Sequence, residues 1–593
     1  MRRTKLVALS TSGVLALTLA ACSSGGPGGG NSGGAGASNG AGADNTKAAE
    51  QGQDAKATGP AAPVSGAKTG GTLYLTESSA PPTMDPSGIY YVDSNGIGTG
   101  LMYRTLTQYK VENGKPVLVP DLATDLGQQS ADGKTWKFKI KPGIKYDDGS
   151  PVKIEDFVYA VKRSFARESV AANGTTYQDE FLVGGDKYKG PFKDPKGDFP
   201  GVTTEGSDTL VFHLTKKMPS FNFFTTFPEF SPIPKSRDTN PNNYQLKPAT
   251  TGPYKVDSYT KGQKLVLSKN TNWDPKSDPA RHQYPDKIQV EFNKDPRQRQ
   301  TQILANSGQG ASMLDFSPGI DSSLVGQVTG AKKSQFIQGA SPCTYFIQMD
   351  SRKIPMNIRK IIGMAWPYDQ MRKAAGVASI NIQPATTYGA PSLQGFKKYP
   401  PVNGATGQGK GDPAKAKAEL QKAGKLGFEL SWYYRNDTPQ RVASNNAEVQ
   451  ALTAAGFKVK PIGVSGEEYT TKKADPNAPV NMNQGPAGWC YDWPTGDSVY
   501  PPLFNGLGIP QGTTVGQFKD PAITKEMNQI QQMDPKAAGP KWAELDKKLM
   551  TDYLPSLPDY YPLQQATFGT KVKNVVLNPA MNMPVLSGIY VTS

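Results

Sequence analysis

The chain has 593 residues, more than one ordinary hydrophobic core holds, and its length predicts about three lobes. Hydrophobic residues make up 36% of the sequence, with 63 glycines and 50 prolines, so a loop-rich globular body is expected. The net charge of +15 is scattered and forms no basic stripe, which argues against a nucleic-acid-binding protein and weakly favours an anionic setting such as a membrane surface or cell wall.

The N-terminus predicts export and lipid attachment. A basic start precedes an apolar run over residues 6–20, which is shorter than the roughly 20 residues that span a bilayer. The letters LAAC at 19–22 are similar to a lipobox, the cleavage signal of bacterial lipoproteins. We therefore predict a signal peptide over 1–21 and lipidation at Cys22; an uncleaved anchor with a chance cysteine is the alternative.

Residues 22–68 consist mainly of small and polar residues. Such a composition cannot bury enough apolar surface to order itself, and it predicts a flexible, lipid-anchored linker. A coil of this length would extend roughly 35–40 Å from the membrane.

From Gly71 onward, strand and helix patterns alternate irregularly. Strands are predicted at GTLYLT, TWKFKI, DTLVFHL and FELSWYYR, and a hairpin at GPYKVDSYTKGQKLVLSKN. Helices are predicted at KIEDFVYAVKRSFA, at AKAKAELQKAG, at NNAEVQALTAAG before the strand FKVKPIGV, and at PKWAELDKKLMTDY before an extended segment. The mixture predicts an α/β class with mixed sheets.

The cysteines predict one disulfide bond. With lipid at Cys22, the chain retains Cys343 and Cys490, and a leftover pair outside the cytoplasm is usually oxidised. Two buried thiols or a thiol nucleophile are the alternatives. Neither His213 nor His282 neighbours a cysteine in sequence, which gives a Cys-His enzyme little support.

Motifs of catalysis are incomplete. Ser258 to Lys261 matches the S-x-x-K of penicillin-binding proteins, but the K-T-G box at 68–70 precedes this serine instead of following it. GIGTG at 96–100 does not complete a phosphate-binding G-x-G-x-x-G, and we interpret it as a turn before an LMYRTL helix. We predict neither an enzyme nor a cofactor or metal site.

Five stretches of the chain carry a family resemblance. In order they are LMYRTLTQYKVENGKPVLVPDLATDL, KTWKFKIKPGIKYDDGSPVKIEDFVYAVKRS, TTGPYKVDSY, LVLSKNTNWD and GWCYDWP. Together they resemble the extracytoplasmic solute-binding proteins of peptide ABC transporters, the oligopeptide- and dipeptide-binding lipoproteins of solute-binding family 5. The lipobox and low-complexity linker suit an actinobacterial member.

The resemblance implies a three-lobed periplasmic-binding-protein fold. Lobe I would comprise 69–106, 235–342 and 563–593; lobe II 107–234; and lobe III 343–562. Ligand would lie in a cleft between lobes I and III, which close by hinge motion, and would rarely contact lobe II deeply.

The resemblance also implies the ligand site. In oligopeptide binders of this family a W-C-x-D segment lines the cleft, and here it falls on Trp489 to Asp492. Asp492 would pair with the free amine of a peptide, because an enclosed ammonium needs a charged partner. Trp489 would form an apolar wall, and Cys490 would brace the strand.

The remaining site expectations concern the backbone and two tyrosines. The backbone around Gly488, including Tyr491, would hydrogen-bond an extended peptide as an added strand. Tyr560 and Tyr561 fall where the family's chain returns toward lobe I, and cleft lining is expected there. Trp493 is expected in the core.

Two departures from the family pattern stand out. Arg359 fits the family's helix over 355–370, but Pro367 should end or kink that helix. The stretch NQGPAGWC has no arginine just before Trp489, where some relatives use nearby basic residues, so the sequence offers no matched partner for a peptide's terminal carboxylate.

The expected protein is a lipid-anchored, monomeric binder at the extracytoplasmic face of the cell membrane. It would deliver oligopeptides to the permease subunits and ATPases of an ABC importer. A binder of another solute (a sugar, a metal complex or haem) and a surface peptide sensor without transport are the alternatives; no nucleic-acid partner is expected.

Overall fold

The computed structural model describes residues 52–316, 319–482, 487–510 and 512–593. The predicted signal peptide, Cys22 and most of the predicted linker lie outside these residues. Within the described part of the chain, no helix is long and apolar enough to cross a membrane.

Helices lie throughout the described chain. They are α1 (Val92–Ile97), α2 (Ile154–Arg163), α3 (Tyr177–Phe181), α4 (Phe221–Phe224), α5 (Pro296–Ala305), α6 (Val325–Thr329), α7 (Met356–Ala365), α8 (Tyr368–Ala374), α9 (Pro413–Lys422), α10 (Pro439–Ala454), α11 (Gly466–Ala474), α12 (Tyr500–Phe504), α13 (Pro521–Gln531) and α14 (Pro535–Lys548), with π-helical turns at Gly98–Met102 and Leu549–Tyr553.

An Asp-Pro pair starts several of these helices. Asp295, Asp412, Asp520 and Asp534 are the N-caps of α5, α9, α13 and α14, and each side chain accepts a backbone N–H of the first turn. The proline that follows has the backbone angle of a helix and lacks only an N–H that the first turn leaves unpaired. These helix starts are therefore fixed by adjacent residues.

Strands supply the frame between the helices. They are β1 (Gly52–Gln53), β2 (Thr72–Thr76), β3 (Thr107–Glu112), β4 (Lys115–Pro120), β5 (Gln128–Gln129), β6 (Thr135–Lys139), β7 (Val202–Glu205), β8 (Thr209–His213), β9 (Tyr254–Thr260), β10 (Lys264–Lys269), β11 (Lys287–Glu291), β12 (Met313–Asp315), β13 (Phe336–Ala340), β14 (Cys343–Gln348), β15 (Ile382–Pro384), β16 (Glu429–Arg435), β17 (Lys458–Val464), β18 (Gly488–Cys490), β19 (Ser556–Pro558), β20 (Tyr560–Phe568), β21 (Val572–Lys573), β22 (Leu577–Asn578), β23 (Met583–Pro584) and β24 (Tyr590–Val591).

An eight-stranded sheet has the order β13-β20-β12-β2-β11-β10-β9, with β15 paired to β20. Strand β2 is parallel to β11 and β12, whereas β10 is antiparallel to its neighbours, so the sheet is mixed. Alternating residues such as Leu73 and Leu75 are fully buried, as expected for strands with one face against a core. The mixed α/β class predicted from the sequence is confirmed.

Residues 107–234 include a four-stranded antiparallel sheet, β5-β6-β8-β7, with its own aromatic core. Trp136 and Phe138 of β6 pack against Phe212 and Phe221, with ring centroids 5.2–6.5 Å apart. Bulky rings alternating along β6 explain why TWKFKI was predictable as a strand with one buried face.

A three-stranded sheet, β18-β14-β19, is joined to the eight-stranded sheet by two neighbouring connections. Strand β13 continues into β14 through residues 341–342, and β19 continues into β20 through Asp559. The Asp559 N–H donates to the Tyr345 carbonyl at 2.8 Å, which holds the two connections side by side.

Three expectations about local structure can be compared with the described residues. The helix around Arg359 ends at Ala365, just before Pro367, as predicted. The LMYRTL helix is wrong: GIGTG is itself helical, and the chain leaves the helix after Met102. The reason is tertiary, because Arg104 donates to Asp121 at 2.7 Å within a buried ion-pair network.

The linker prediction is also wrong for residues 52–68. Strand β1 pairs in parallel with β4, and the Ala61 N–H donates to the Asp278 carbonyl at 2.8 Å. The Lys141 ammonium holds the Thr58 carbonyl at 2.7 Å. Hydrogen bonds to the body order this segment, although its composition offers little apolar surface.

Candidate functional site

The site predicted at GWCYDWP begins on strand β18. This strand pairs antiparallel with β14, so that Cys343 faces Cys490, Thr344 faces Trp489 and Tyr345 faces Gly488. A disulfide bond joins Cys343 and Cys490. The bond closes a loop of 147 positions and fixes the strand two residues before Asp492.

Strand β18 is the outer strand of its sheet. The Phe346 N–H donates to the Ala487 carbonyl at 2.8 Å, and the Tyr491 N–H donates to the Pro342 carbonyl at 3.1 Å. Because hydrogen-bonded and non-bonded pairs alternate in an antiparallel ladder, the N–H and C=O groups of Gly488 and Cys490 point away from β14. No described residue hydrogen-bonds these groups.

A side chain at position 488 would crowd the neighbouring strand. A Cβ atom at this position would lie 3.0 Å from Cγ of Tyr345 and 3.1 Å from the Thr344 carbonyl. The glycine therefore lets the Tyr345 ring lie against the backbone of β18.

The Asp492 carboxyl is enclosed by side chains from distant parts of the chain. Oδ2 accepts a hydrogen bond from the Tyr90 hydroxyl at 3.2 Å and a second one from the Tyr177 hydroxyl. Among the described residues, no lysine, arginine or histidine forms an ion pair with it. Asp492 as a whole is half-buried, so a ligand can still reach the residue.

This enclosure changes the acidity of the carboxyl. Burial raises the pKa of Asp492 from 3.8 to about 7, and the Tyr177 and Tyr90 hydroxyls offset only part of that shift. Nearby, burial raises the pKa of Glu229 to about 7 as well, although the Thr175 hydroxyl donates to it and the charge of Arg167 opposes the shift. A cation that enters this space would stabilise the ionised carboxylates.

The other residues of the motif divide between site and core. Trp489 is half-buried, and its Nε1–H donates to the Ser498 carbonyl at 2.8 Å. Tyr491 is buried, and its hydroxyl donates to the Pro579 carbonyl at 3.0 Å. Its N–H donates to the Pro342 carbonyl at 3.1 Å, so of the Tyr491 backbone groups expected to bind a peptide, the N–H already has a protein partner.

The two tyrosines predicted to line the cleft also differ. Tyr561 is buried, and its hydroxyl accepts the Thr386 and Thr387 N–H groups at 3.2 and 3.1 Å, so in this structure the residue is part of the core. Tyr560 is half-buried, and its ring stacks on Tyr345 with centroids 4.7 Å apart and planes 8° from parallel.

Sequence reasoning missed Tyr90, Tyr177 and Tyr345. The first two lie 402 and 315 positions from Asp492 in the chain, and no local pattern marks them as partners of that residue. Tyr345 carries a weak signal, because it is an aromatic residue at an exposed position of the strand CTYFIQ. Its side chain is 38% exposed beside the free edge of β18.

The open cavity of about 830 Å³ in the structure is separate from Asp492. It lies along α2, the 188–197 loop and residues 235–241, and Tyr159 and Phe192 are among its walls. The candidate site is therefore defined by the strand edge and the carboxyl. Within the described chain, no group of three or more histidine, cysteine or acidic residues could hold a metal ion.

Comparison with known proteins supports the resemblance. Residues 117–511 match the model of the bacterial extracellular solute-binding proteins, family 5. The chain is 24% identical over 483 residues to the periplasmic oligopeptide-binding protein OppA of Salmonella typhimurium, covering 77% of this chain and 80% of that protein. It is 24% identical over 400 residues to the probable D,D-dipeptide-binding periplasmic protein DdpA of Escherichia coli, covering 65% and 69%.

Solved structures show the same fold. A clavulanic acid biosynthesis oligopeptide binding protein 2 superposes with a TM-score of 0.78 at 23% identity, covering 93% of this chain and 100% of that one. The DppA protein of Helicobacter pylori in complex with peptide STSA superposes with a TM-score of 0.69 at 19% identity, covering 89% and 99%. The chain belongs to family 5 of the bacterial extracellular solute-binding proteins.

Proposed function

We propose that this protein captures oligopeptides outside the cell, pairs their free N-terminal amine with Asp492, and delivers them to an ABC importer. The observation that carries the proposal is the Asp492 carboxyl, which is enclosed without a cationic partner among the described residues, two positions beyond the free edge of β18. Relatives named as oligopeptide- and D,D-dipeptide-binding proteins support the class of ligand.

The strand edge would bind the main chain of the guest. Gly488 and Cys490 direct their N–H and C=O groups outward, and an extended peptide can pair with them as an added strand. Main-chain hydrogen bonds do not depend on side-chain identity, so this edge suits peptides of many sequences.

The amine would occupy the space at Asp492. An enclosed ammonium requires a charged partner, and a carboxyl with a pKa of about 7 requires a cation to ionise fully at neutral pH. Each group therefore favours the charged form of the other, which makes the free N-terminus the selective feature of the ligand.

The aromatic residues beside the strand would form the walls of the site. Trp489 is held by its bond to Ser498, and the stacked pair of Tyr345 and Tyr560 lies beside Gly488. Rings of this kind offer side-chain pockets that depend on shape and apolar surface.

The three lobes, 69–106 with 235–342 and 563–593, 107–234, and 343–562, remain part of the proposal. The connections β13–β14 and β19–β20 are suited to act as the hinge, because they are short and lie side by side between two sheets. The hydrogen bond from the Tyr90 hydroxyl to Asp492 joins the proposed lobes I and III, so opening of the hinge would break it and closure would restore it.

Attachment by lipid at Cys22 would keep the receptor near the membrane, where permease subunits could accept the peptide. This part rests on the lipobox-like letters LAAC and on the composition of residues 23–51. Globomycin, which blocks lipoprotein signal peptidase, should cause the precursor to accumulate, and Cys22→Ala should release the protein from membranes.

Calorimetry of one peptide with a free and with an N-acetylated terminus tests the central claim. We expect the free form to bind at least about 30-fold more tightly, as for loss of one partner of an enclosed charge pair worth about 2 kcal/mol or more. Equal affinities would refute the role of Asp492. Tight binding of a sugar, a metal complex or haem without peptide binding would refute the ligand class.

A further inference from the structure

Residue Trp493, next to Asp492, belongs to a core built by a distant part of the chain. Its side chain is fully buried, and its ring lies 4.9 Å from Tyr177, 5.9 Å from Phe224 and 6.4 Å from Phe181 by centroid distance. All three partners lie in the 107–234 segment, whose expected contribution to ligand binding was small.

The cluster around Trp493 is the main core of that segment. Among the described residues, its buried members all lie in that segment except Leu106, which directly precedes it, Trp493 and Ala580. An indole enclosed by aromatic rings of another segment acts as an anchor, because withdrawing it would expose its surface and leave a cavity.

A second contact fastens the same loop to the same segment. The Ser220 hydroxyl donates to Oδ2 of Asp497, and both residues are buried. Residues 492–497 are therefore held by the 107–234 segment at both ends, through Tyr177 and Trp493 at one end and Ser220 at the other.

On its other side the loop is fastened to a different body. Cys490 is bonded to Cys343 of β14, and the Tyr491 N–H donates to the Pro342 carbonyl at 3.1 Å. Asp492 thus lies between two attachments, the disulfide two residues before it and the buried indole one residue after it.

We propose that Trp493 is a positioning residue through which the 107–234 segment sets the amine selectivity of the site. The docked indole fixes the Asp492 carboxyl relative to the strand edge at Gly488 and Cys490, where the peptide main chain would bind. The 107–234 segment thereby acts on peptide selectivity in two ways. It holds the loop through Trp493, and its Tyr177 hydroxyl donates directly to Asp492. This inference rests on the proposed pairing of Asp492 with the amine.

The test measures amine selectivity, defined as the ratio of dissociation constants for the N-acetylated and free forms of one peptide. Trp493→Leu should lower this ratio at least about tenfold relative to wild type, while affinity for the acetylated peptide changes little. Trp493→Phe, which refills most of the aromatic pocket, should restore most of the ratio. Ser220→Ala should also lower the selectivity ratio, by a smaller factor than Trp493→Leu.

Trp432→Phe is the matched control. Trp432 is also fully buried, but it lies in β16 and its Nε1–H donates to Asn445 at 2.9 Å, away from the loop. This variant should lose stability without changing the selectivity ratio. Circular dichroism and thermal unfolding verify that each variant is folded at the assay temperature.

The outcomes separate this inference from the proposed function. If wild type prefers the free amine and Trp493→Leu and Ser220→Ala both keep that ratio, the positioning role is refuted and the function stands. If Trp493→Leu does not fold, Ser220→Ala decides the question, and an unchanged ratio in that variant refutes the positioning role. If wild type shows no preference for the free amine, both claims fall.

Discussion

The acidity of Asp492 predicts a specific pH dependence of peptide binding. In the free protein, burial raises the pKa of this carboxyl to about 7, so at lower pH it carries a proton that an arriving ammonium must displace. If the bound ammonium returns the pKa to its ordinary value of 3.8, the shift is about 3 pH units, or about 4 kcal/mol of linked free energy. Affinity should therefore rise with pH up to about 7.

The slope follows from proton counting. Below pH 7, binding releases up to one proton, so the dissociation constant should increase about tenfold for each pH unit lowered. Because about half of the Asp492 carboxyls already carry a proton at pH 7, we expect a loss of about 15-fold between pH 7 and pH 5.5. The α-amino group of a peptide has a pKa of about 7.7–8.0, so above about pH 8 most of it is neutral in solution, and affinity should decline again.

Calorimetry measures both quantities. Titrations of a free-amine peptide from pH 5 to pH 8.5, repeated in buffers of different ionisation enthalpy, give the affinity and the number of protons released. The N-acetylated peptide and the Asp492→Asn variant should show no such slope. Glu229→Gln should keep the slope, which separates Asp492 from the neighbouring carboxyl of similar pKa. A flat profile for the free-amine peptide would contradict the assignment.

Three further predictions concern stability and the strand. Glu448 is buried, its Oε1 has no hydrogen-bond partner among the described residues, and burial raises its pKa from 4.5 to about 8, so the stability of the protein should fall as pH rises from 4.5 toward 8. In denaturant unfolding at pH 7, Glu448→Gln should stabilise the protein by about 3 kcal/mol. Unchanged stability would mean that the carboxyl is solvated. Gly488→Val should weaken the binding of free and N-acetylated peptides alike, by roughly tenfold, because the valine Cβ would press on the Tyr345 ring. A loss of affinity for the free-amine peptide alone would contradict the backbone role. Replacing Cys343 and Cys490 by serine should lower the free energy of unfolding by roughly 5 kcal/mol in the chain-entropy model, as measured by chemical unfolding. Mass mapping of the unreduced protein should find the two cysteine-containing peptides linked. Two alkylatable thiols would refute the bridge.

Local patterns in the sequence were sufficient for most elements of the fold. The alternation in TWKFKI and the Asp-Pro pairs that begin α9 and α14 depend on residues within a few positions of one another. A proline at 367 ends α7 through its own geometry. The W-C-x-D letters and the cysteine count were enough to place the strand, one of the two disulfide cysteines and Asp492 in a single short segment.

Contacts between distant residues decided the rest. The sequence suggested a helix at LMYRTL, but Arg104 enters a buried ion-pair network with Asp121 and the backbone there is extended. It suggested a free linker over 52–68, but β4 offers β1 a pairing edge. In both cases a partner that the local letters do not reveal outweighs local preference.

The candidate site shows the same division. The sequence by itself determined that an acid follows a short strand that carries one of two pairing cysteines. Only the tertiary structure brought Tyr90 and Tyr177 to that acid and enclosed it with no cation from the described residues, because the two tyrosines lie 402 and 315 positions away. The acidity of a carboxyl depends on everything packed around it, and that environment is assembled only when the chain folds.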